Sequence, residues 1–259
     1  MRTFGIIGFP LSHSFSKKYF TDKFTRENIT DCEFHNFLLE DINGLPDLIK
    51  RFPNLSGLSV TIPYKQSVMR YLDALDVSAK EVGAVNCIKR CQMADGNWQM
   101  IGYNTDIFGF EQSLKPLLKS HHTEALILGT GGAAKAVAYI LDKSKINFRH
   151  VSKSSSKNTT DAKMLSYKAV NKKILAESTL IINTTPLGMF PNEDECPDIP
   201  YEYLAPEHLL YDLTYNPELP LFLKMGKEKG AQTKNGLEML HLQAEEAWRI
   251  WQAPSPPST

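Results

Sequence analysis

Residues 125–141 read ALILGTGGAAKAVAYIL. An apolar run of strand length, Ala125–Leu128, stops at Gly129, and a helix-forming stretch follows within three residues. Gly129, Gly131 and Ala134 match the pattern G-x-G-x-x-G/A. Each position has a physical role there. Gly129 permits a tight turn, Gly131 lets the backbone approach a pyrophosphate, and Ala134 lets the helix pack close to the strand. The helix start offers free N–H groups and the positive end of its dipole to phosphate. A strand before the glycines and a helix after them argue against a plain turn. The stretch therefore predicts a dinucleotide-binding unit, with Gly129, Thr130, Gly131, Gly132, Ala133 and Ala134 as its phosphate loop.

The next strand predicts which dinucleotide. An NAD site closes its second strand with an acid for the ribose 2′-hydroxyl. Here the strand NFRHV (147–151) runs into SKSSSKN (152–158), and no acid comes before Asp161. Ser152, Lys153 and Lys157 stand there instead. Hydroxyls and ammonium groups suit a 2′-phosphate, which a carboxylate would repel. The expected cofactor is NADP; the bland alternative is a solvated Ser/Lys loop that selects nothing.

The rest of the chain alternates strands and helices, which favours α/β architecture. TFGIIGF (3–9), EFHNFLL (33–39), GLSVTI, GAVNCIKRC and NWQMIGYN read as strands, the last two joined through Asp95-Gly96, a hairpin signal. Helices are expected near 17–28, in LPDLIKRF, after Lys65 in QSVMRYLDAL, and in TDIFGFEQSLKPLLK. Past the glycine loop, strands are expected at 148–151, 180–183, 209–212 and 231–233. In GLEMLHLQAEEAWRIWQ, the residues Leu237, Leu240, Ala244, Ala247, Trp248 and Trp251 form one helical stripe. The tail APSPPST has a disordered composition, and no internal repeat is present.

Bulk composition excludes several classes. Lys+Arg and Asp+Glu each number 29 in 259 residues, which leaves no basic excess for nucleic acid. Cys32, Cys87, Cys91 and Cys196 form no CxxC pair and no zinc spacing, so free thiols in a cytoplasmic protein are expected, with no metal. No apolar run reaches the roughly 20 residues of a membrane helix.

Outside the dinucleotide unit, chemistry-bearing residues gather in four places. GFPLSHSFS (8–16) ends a strand in Ser14 and Ser16, two hydroxyls that can share an anion, or that cap a helix. SVTIPYK (59–65) mounts Lys65 just past a strand broken by Pro63. In GAVNC (83–87), Asn86 interrupts an apolar strand and needs partners or a ligand. GYNTD (102–106) sets Asn104, Thr105 and Asp106 between a strand and a helix, where Asp106 would also suit a first helical turn.

Taken together, GFPLSHSFS, SVTIPYK, GAVN, GYNTD, LGTGGAAKA and NGLEML…Q resemble the shikimate dehydrogenase family in order and spacing, from residue 5 to about residue 252. The resemblance implies an α/β protein of two domains. A substrate domain with a mixed sheet would span 1–107 and 237–259, and a Rossmann-type NADP domain 108–236, with the active site in the cleft between them. It implies reversible NADPH-dependent reduction of 3-dehydroshikimate to shikimate, a step of chorismate and aromatic amino-acid biosynthesis. It makes Lys65 and Asp106 the catalytic pair. Ser14 and Ser16 would hold the substrate carboxylate, Thr61, Lys65, Asn86 and Asp106 the ring hydroxyls, Gln243 would reach the substrate from the last helix, and Tyr215 would close over the ring. Thr184, Leu213 and Gly236 would join the glycine loop and Ser152, Lys153 and Lys157 at the cofactor. The only partner implied is a small-molecule substrate, with no nucleic acid or membrane, in a monomer or homodimer.

The physical chemistry agrees. Hydride delivery to a ketone carbon builds negative charge on its oxygen, which a lysine ammonium can stabilise and protonate. A nearby carboxylate would aim that lysine. The sequence departs from the family at the 2′-phosphate, where lysines replace arginines that bind bidentately, and at Asn235 and Tyr64, where Asp and Phe are usual. Three other readings compete: an NAD-using quinate/shikimate dehydrogenase, a silent NADP or shikimate sensor, and a methylene-tetrahydrofolate enzyme. The two lysines weigh against the first, the Lys65/Asp106 pair against the second, and the paired serines with AVN and NTD against the third.

Overall fold

In TFGIIG, Phe4 and Ile6 face one way and Ile7 the other, and both faces are covered. This strand, β1 (Arg2–Gly8), therefore lies mid-sheet, flanked in parallel by β2 (Cys32–Leu38) and β3 (Leu55–Val60). The computed structural model describes residues 1–11, 15–153 and 163–254. Ser14, Lys157 and most of the proline-rich tail lie outside them. Within the described residues the chain forms two compact units, Met1–Thr105 with Gln243–Thr259, and Asp106–Leu242.

The first unit is built on a mixed six-stranded sheet. The helix α1 (Phe15–Arg26) connects β1 to β2 and α2 (Leu45–Arg51) connects β2 to β3; after β3 come β4 (Ala74–Leu75), α3 (Val77–Val82), β5 (Cys87–Gln92) and β6 (Trp98–Tyr103). The spatial order is β2-β1-β3-β5-β6-β4, with β5 antiparallel to both β3 and β6. The β5–β6 hairpin turns at Asp95-Gly96, as the sequence predicts. Gly96 takes φ +84°, and the Asp95 carboxylate accepts the Asn97 N–H at 2.9 Å.

The helix expected after Lys65 does not form. Ser67–Tyr71 makes a short 3-10 turn, and Ala74–Leu75 becomes the edge strand β4 against Ile101 and Gly102. The physical reason lies in three hydrogen bonds to β6. The Asp73 N–H reaches Met100 O at 2.9 Å, the Asp73 carboxylate takes the Met100 N–H at 2.7 Å, and the Asp76 N–H reaches Gly102 O at 2.8 Å. Sheet capture outweighs local helical spacing.

The closing helix α8 (Leu237–Gln252) buries Ala244, Ala247, Ile250 and Trp251 against Phe4, Phe20 and Phe34. The Trp251 indole donates to Ile88 O at 3.0 Å. One residue of the expected stripe departs from it: Leu237 is 38% exposed at the helix start, and Met239 is buried instead. Ala253 and Pro254, the first described residues of the tail, offer their carbonyls to the buried Lys89 ammonium.

The second unit opens with α4 (Thr105–Leu114), which begins at the last residue of the first. Then come β7 (Glu124–Leu128), α5 (Gly132–Lys143), β8 (Asn147–Ser152), β9 (Met164–Ser166), α6 (Lys172–Glu177), β10 (Leu180–Asn183), β11 (Leu209–Asp212), α7 (Leu221–Glu228) and β12 (Gln232–Lys234). All six strands are parallel, in the order β12-β11-β10-β7-β8-β9. Read from the β9 edge and numbered by position in the chain this is 3-2-1-4-5-6, the doubly wound dinucleotide-binding order, whose ligand crevice opens where the winding reverses, at β7 and β10. Leu126–Leu128 and Leu180–Asn183 are fully buried, as in parallel sheets covered on both faces. The strand β9 has no counterpart among the expected elements, and β12 begins one residue later than expected.

All four cysteines are free. No helix among the described residues is long and apolar enough to cross a membrane, and no group of three or more His, Cys, Asp or Glu among them could hold a metal ion.

Candidate active site

In the first unit the end of β3 is pinned from several sides. The Val60 N–H reaches Asn86 O at 2.8 Å, and the Thr61 N–H reaches Ile7 O at 3.0 Å. Pro63 follows and the ladder ends. Tyr64 then turns back into the core, 6% exposed, its hydroxyl donating to Leu39 O at 2.6 Å. Lys65 is held by its own carbonyl, which accepts the Val85 N–H at 2.7 Å. Its backbone is thus fixed by the residue before it and by the loop before β5, while its side chain is half-buried. Thr61 is half-buried as well.

Asn86 is the hub of this region. It is 6% exposed, and its amide oxygen accepts the Thr105 N–H at 2.7 Å. Its amide N–H groups reach the Thr105 hydroxyl at 3.0 Å and the Gln243 side-chain carbonyl at 3.2 Å. One buried amide thereby ties the start of β5 to the first residue of α4 and to α8. The strand-interrupting polar residue finds side-chain and backbone partners, as burial demands. Asp106, 3% exposed, follows Thr105 directly in the first turn of α4, where the helix dipole favours a carboxylate. Asn104 acts structurally, its amide donating to Ala84 O at 2.9 Å and its N–H to Ser78 Oγ at 3.0 Å.

Ser16 is half-buried inside the first turn of α1, one residue past the helix start, so it is not the cap. Helix α1 is joined to α8 by Lys23, 5% exposed, whose ammonium lies 2.9 Å from both Glu245 and Glu27. Burial disfavours that charge, but the hydrogen bonds it donates to the two carboxylates outweigh this and hold the lysine pKa above its ordinary value. Tyr19 also donates to Glu245. The helices carrying Ser16 and Gln243 are thus tied together.

In the second unit the glycine loop has the expected form. Gly129 takes φ +116°, and a Cβ there would stand 2.6 Å from Thr184 Oγ1. Gly131 is the N-cap of α5, with nothing within 4 Å of a Cβ placed on it. Thr130 is exposed, Gly132 and Ala133 start α5, and Ala134 is fully buried. Thr184 is held at the end of β10, its N–H and hydroxyl reaching Leu128 O at 3.0 and 2.8 Å. A cavity of about 290 Å³ opens beside this loop. Its walls are mostly apolar, from Val151, Tyr167, Pro186 and Leu187, with Ser152 and Lys153 where β8 ends. Leu213 and Gly236 also meet: a Cβ on Gly236 would lie 2.0 Å from Leu213 O, and the Gly236 N–H reaches Thr214 O at 3.0 Å. Tyr215 is half-buried, and burial pushes its phenol above the ordinary tyrosine range.

Known proteins resemble this chain in both sequence and fold. Residues 6–88 match the family model for the shikimate dehydrogenase substrate binding domain. The shikimate dehydrogenase (NADP(+)) of Carboxydothermus hydrogenoformans is 38% identical, over 98% of this chain and 92% of its own length. The chain belongs to the shikimate dehydrogenase family. Two crystal structures of shikimate dehydrogenases superpose on it along nearly its whole length. That of shikimate dehydrogenase 1 from Peptoclostridium difficile covers all of this chain and 94% of its own, at 35% identity and a TM-score of 0.82. That of shikimate 5-dehydrogenase from Thermus thermophilus, in complex with NADP(H) and shikimate, covers 99% and 96% at 27% identity, also with a TM-score of 0.82.

Two buried polar residues of this chain do not stand out in the sequence. Asn183 ends β10 and Asp212 ends β11, both fully buried. The Asn183 amide N–H lies 3.1 Å from each Asp212 carboxylate oxygen. Burial pushes the Asp212 carboxyl up to about 6, against the hydrogen bonds of Thr214 and Asn183, which favour the ionised form. Each closes an apolar strand, LIIN and LLYD, a fainter form of the signal that picks out Asn86.

Proposed function

We propose that the protein is an NADP-dependent shikimate dehydrogenase, reducing 3-dehydroshikimate to shikimate reversibly in chorismate biosynthesis. The observation that carries this reading is the Asn86 hub, which joins by hydrogen bonds, within one unit, polar residues just before β5, at the start of α4 and midway along α8. The second unit, Asp106–Leu242, serves as the cofactor-binding part, and the first as the substrate-binding part.

The residues of the second unit fit NADP. The open approach at Gly131 and the free N–H groups of α5 suit a pyrophosphate, the apolar cavity suits an adenine, and Lys153 with Ser152 suits a 2′-phosphate. Lys157, assigned the same role, lies outside the described residues. Bound NADPH supplies the hydride. Lys65 protonates the carbonyl oxygen as charge develops there, and in the reverse direction takes up the hydroxyl proton. Asp106 is its partner carboxylate. Ser14 and Ser16 bind the substrate carboxylate, Thr61 and Asn86 together with Lys65 and Asp106 bind ring hydroxyls, Gln243 contacts the substrate from α8, and Tyr215 covers the ring.

The test is steady-state kinetics on Lys65→Met. Loss of a positioned general acid lowers kcat roughly 10²–10⁴-fold, which is about 3–5 kcal/mol of transition-state stabilisation. The dissociation constant for NADP stays at the wild-type value. A kcat near wild type would remove Lys65 from the mechanism.

A further inference from the structure

The family reading leaves Asp212 without a role. The group is fully buried at the end of β11, and its ionised form is disfavoured there by desolvation. A buried carboxylate in a parallel sheet weakens the fold unless its hydrogen bonds do something that an apolar residue could not. Its hydrogen bonds lead to two neighbouring loops. One oxygen accepts the Thr214 N–H at 2.9 Å, at the start of the turn that carries Tyr215. Both oxygens face the Asn183 amide N–H. Asn183 passes the constraint on: its amide oxygen accepts the Thr185 N–H at 3.0 Å and the Thr185 hydroxyl at 2.6 Å. Thr185, Pro186 and Leu187 line the cavity beside the glycine loop. Further out the same two loops meet again, the Phe190 N–H donating to Asn216 O at 3.1 Å.

We infer that Asp212 and Asn183 are positioning residues, a buried carboxylate–amide pair that sets the loop after β10 at the cofactor cavity and the Thr214–Tyr215 turn in one fixed arrangement. The inference rests on the NADP and shikimate reading for its effect on catalysis, but not for its effect on the two loops. The pair is polar in one sense only. Asn183 must accept from Thr185 and donate to Asp212, so its amide cannot flip, and Asp212 must accept from both sides. An amide at 212 could still accept the Thr214 N–H, but its own NH₂ would face the Asn183 NH₂, leaving two donors opposed in a dry site. Exchanging the residues restores the pattern. A carboxylate at 183 accepts from Thr185 and from the new amide at 212, whose oxygen still accepts from Thr214.

The experiment compares Asp212→Asn with the exchanged double variant Asn183→Asp/Asp212→Asn. NADP affinity is read by titration of the protein's fluorescence, turnover by NADPH formation from shikimate, and the loops by amide hydrogen exchange. Asp212→Asn is expected to weaken NADP binding about tenfold, to lower kcat by a similar factor, and to speed exchange at Thr185 and Thr214. The exchanged variant is expected to return all three to within about threefold of wild type. A folded Asp212→Asn protein with unchanged NADP affinity and kcat overturns the inference, whatever its melting temperature. An exchanged variant no better than the single one overturns it too. If the wild type does not turn over shikimate with NADP, the functional reading fails. Exchange at Thr185 and Thr214 then decides this inference alone, unchanged rates in Asp212→Asn counting against it.

Discussion

The two units build their polar sites from different materials. In the first, the groups that could touch a ligand are side chains, Lys65, Asn86 and Gln243, each fixed by others: Tyr64 and Val85 around Lys65, Thr105 around Asn86. In the second, they are largely backbone, the Gly129–Gly131 turn and the N–H groups of α5, with Thr184 pressed against Gly129. The difference suits the ligands proposed for the two units. A pyrophosphate is a diffuse anion that several N–H groups bind well whatever their side chains. A hydroxylated ring that must also gain a proton needs particular donors in particular places, so it needs side chains with buried support.

Substitutions can test that contrast, and the largest effect is expected at two glycines of the second unit. Gly236 and Gly131 both sit near the cofactor in the family reading, yet their surroundings differ. A methyl at Gly236 would meet the Leu213 backbone at 2.0 Å and could not be accommodated without moving the chain. Gly236→Ala should cost about 3 kcal/mol of stability. A methyl at Gly131 meets nothing within 4 Å. Gly131→Ala should keep stability to within about 1 kcal/mol, as for a changed N-cap, while weakening NADP binding at least tenfold. Thermal melts paired with NADP titration read both. Should Gly131→Ala bind NADP normally, the backbone-built phosphate site is wrong.

A middle-sized effect concerns the cationic side chain that the second unit contributes at the end of β8. Lys153 is exposed there. Its removal should raise KM for NADP about fivefold, corresponding to roughly 1 kcal/mol for an exposed charge pair. KM for NAD should stay where it was. Equal increases for both cofactors would show that Lys153 reads something other than the 2′-phosphate.

The smallest expected effect is a pH dependence. Asp212 has a folded-state pKa of about 6, above the ordinary 3.8, so it favours folding fully below pH 3.8 and that contribution is lost as pH rises through about 6. The titratable neighbour that interacts with it is Tyr201, whose phenol burial holds neutral. Asp212→Asn lacks the contribution. Between pH 5 and 7, wild-type stability should therefore fall relative to the variant by about 1 kcal/mol. Denaturant unfolding at the two pH values measures the difference, and a constant gap would mean that Asp212 titrates normally.

What can be read from the sequence divides along the same line. Glycine loops are visible because only glycine fits them, so the turn after β7, the helix α5 and the parallel strands around them stand in the expected places. Asn86 is visible because a polar residue in an apolar run needs a reason, and Asp106 because it closes the polar cluster Asn104-Thr105-Asp106 between a strand and a helix. Asn183 and Asp212 carry the same signal more faintly, since their strands are only four residues long and each polar residue closes its strand, where loop residues are expected. The helix after Lys65 fails because its periodicity is local, whereas the hydrogen bonds that unwind it come from β6, with Met100 lying 27 residues beyond Asp73. The strand β9 is hidden for a similar reason: Met164–Ser166 becomes a strand through its pairing with β8. Leu237 belongs to the stripe by spacing but stands at the helix end, where no core reaches it.

The central claim is the reaction itself, and the most direct measurement is the initial rate of reduced-cofactor formation, read by absorbance with purified protein. Shikimate and quinate would each be offered with NADP and with NAD. The account predicts the highest kcat/KM for shikimate with NADP, at least tenfold above shikimate with NAD and above quinate with either cofactor. No turnover of shikimate, or a preference for NAD, would contradict it.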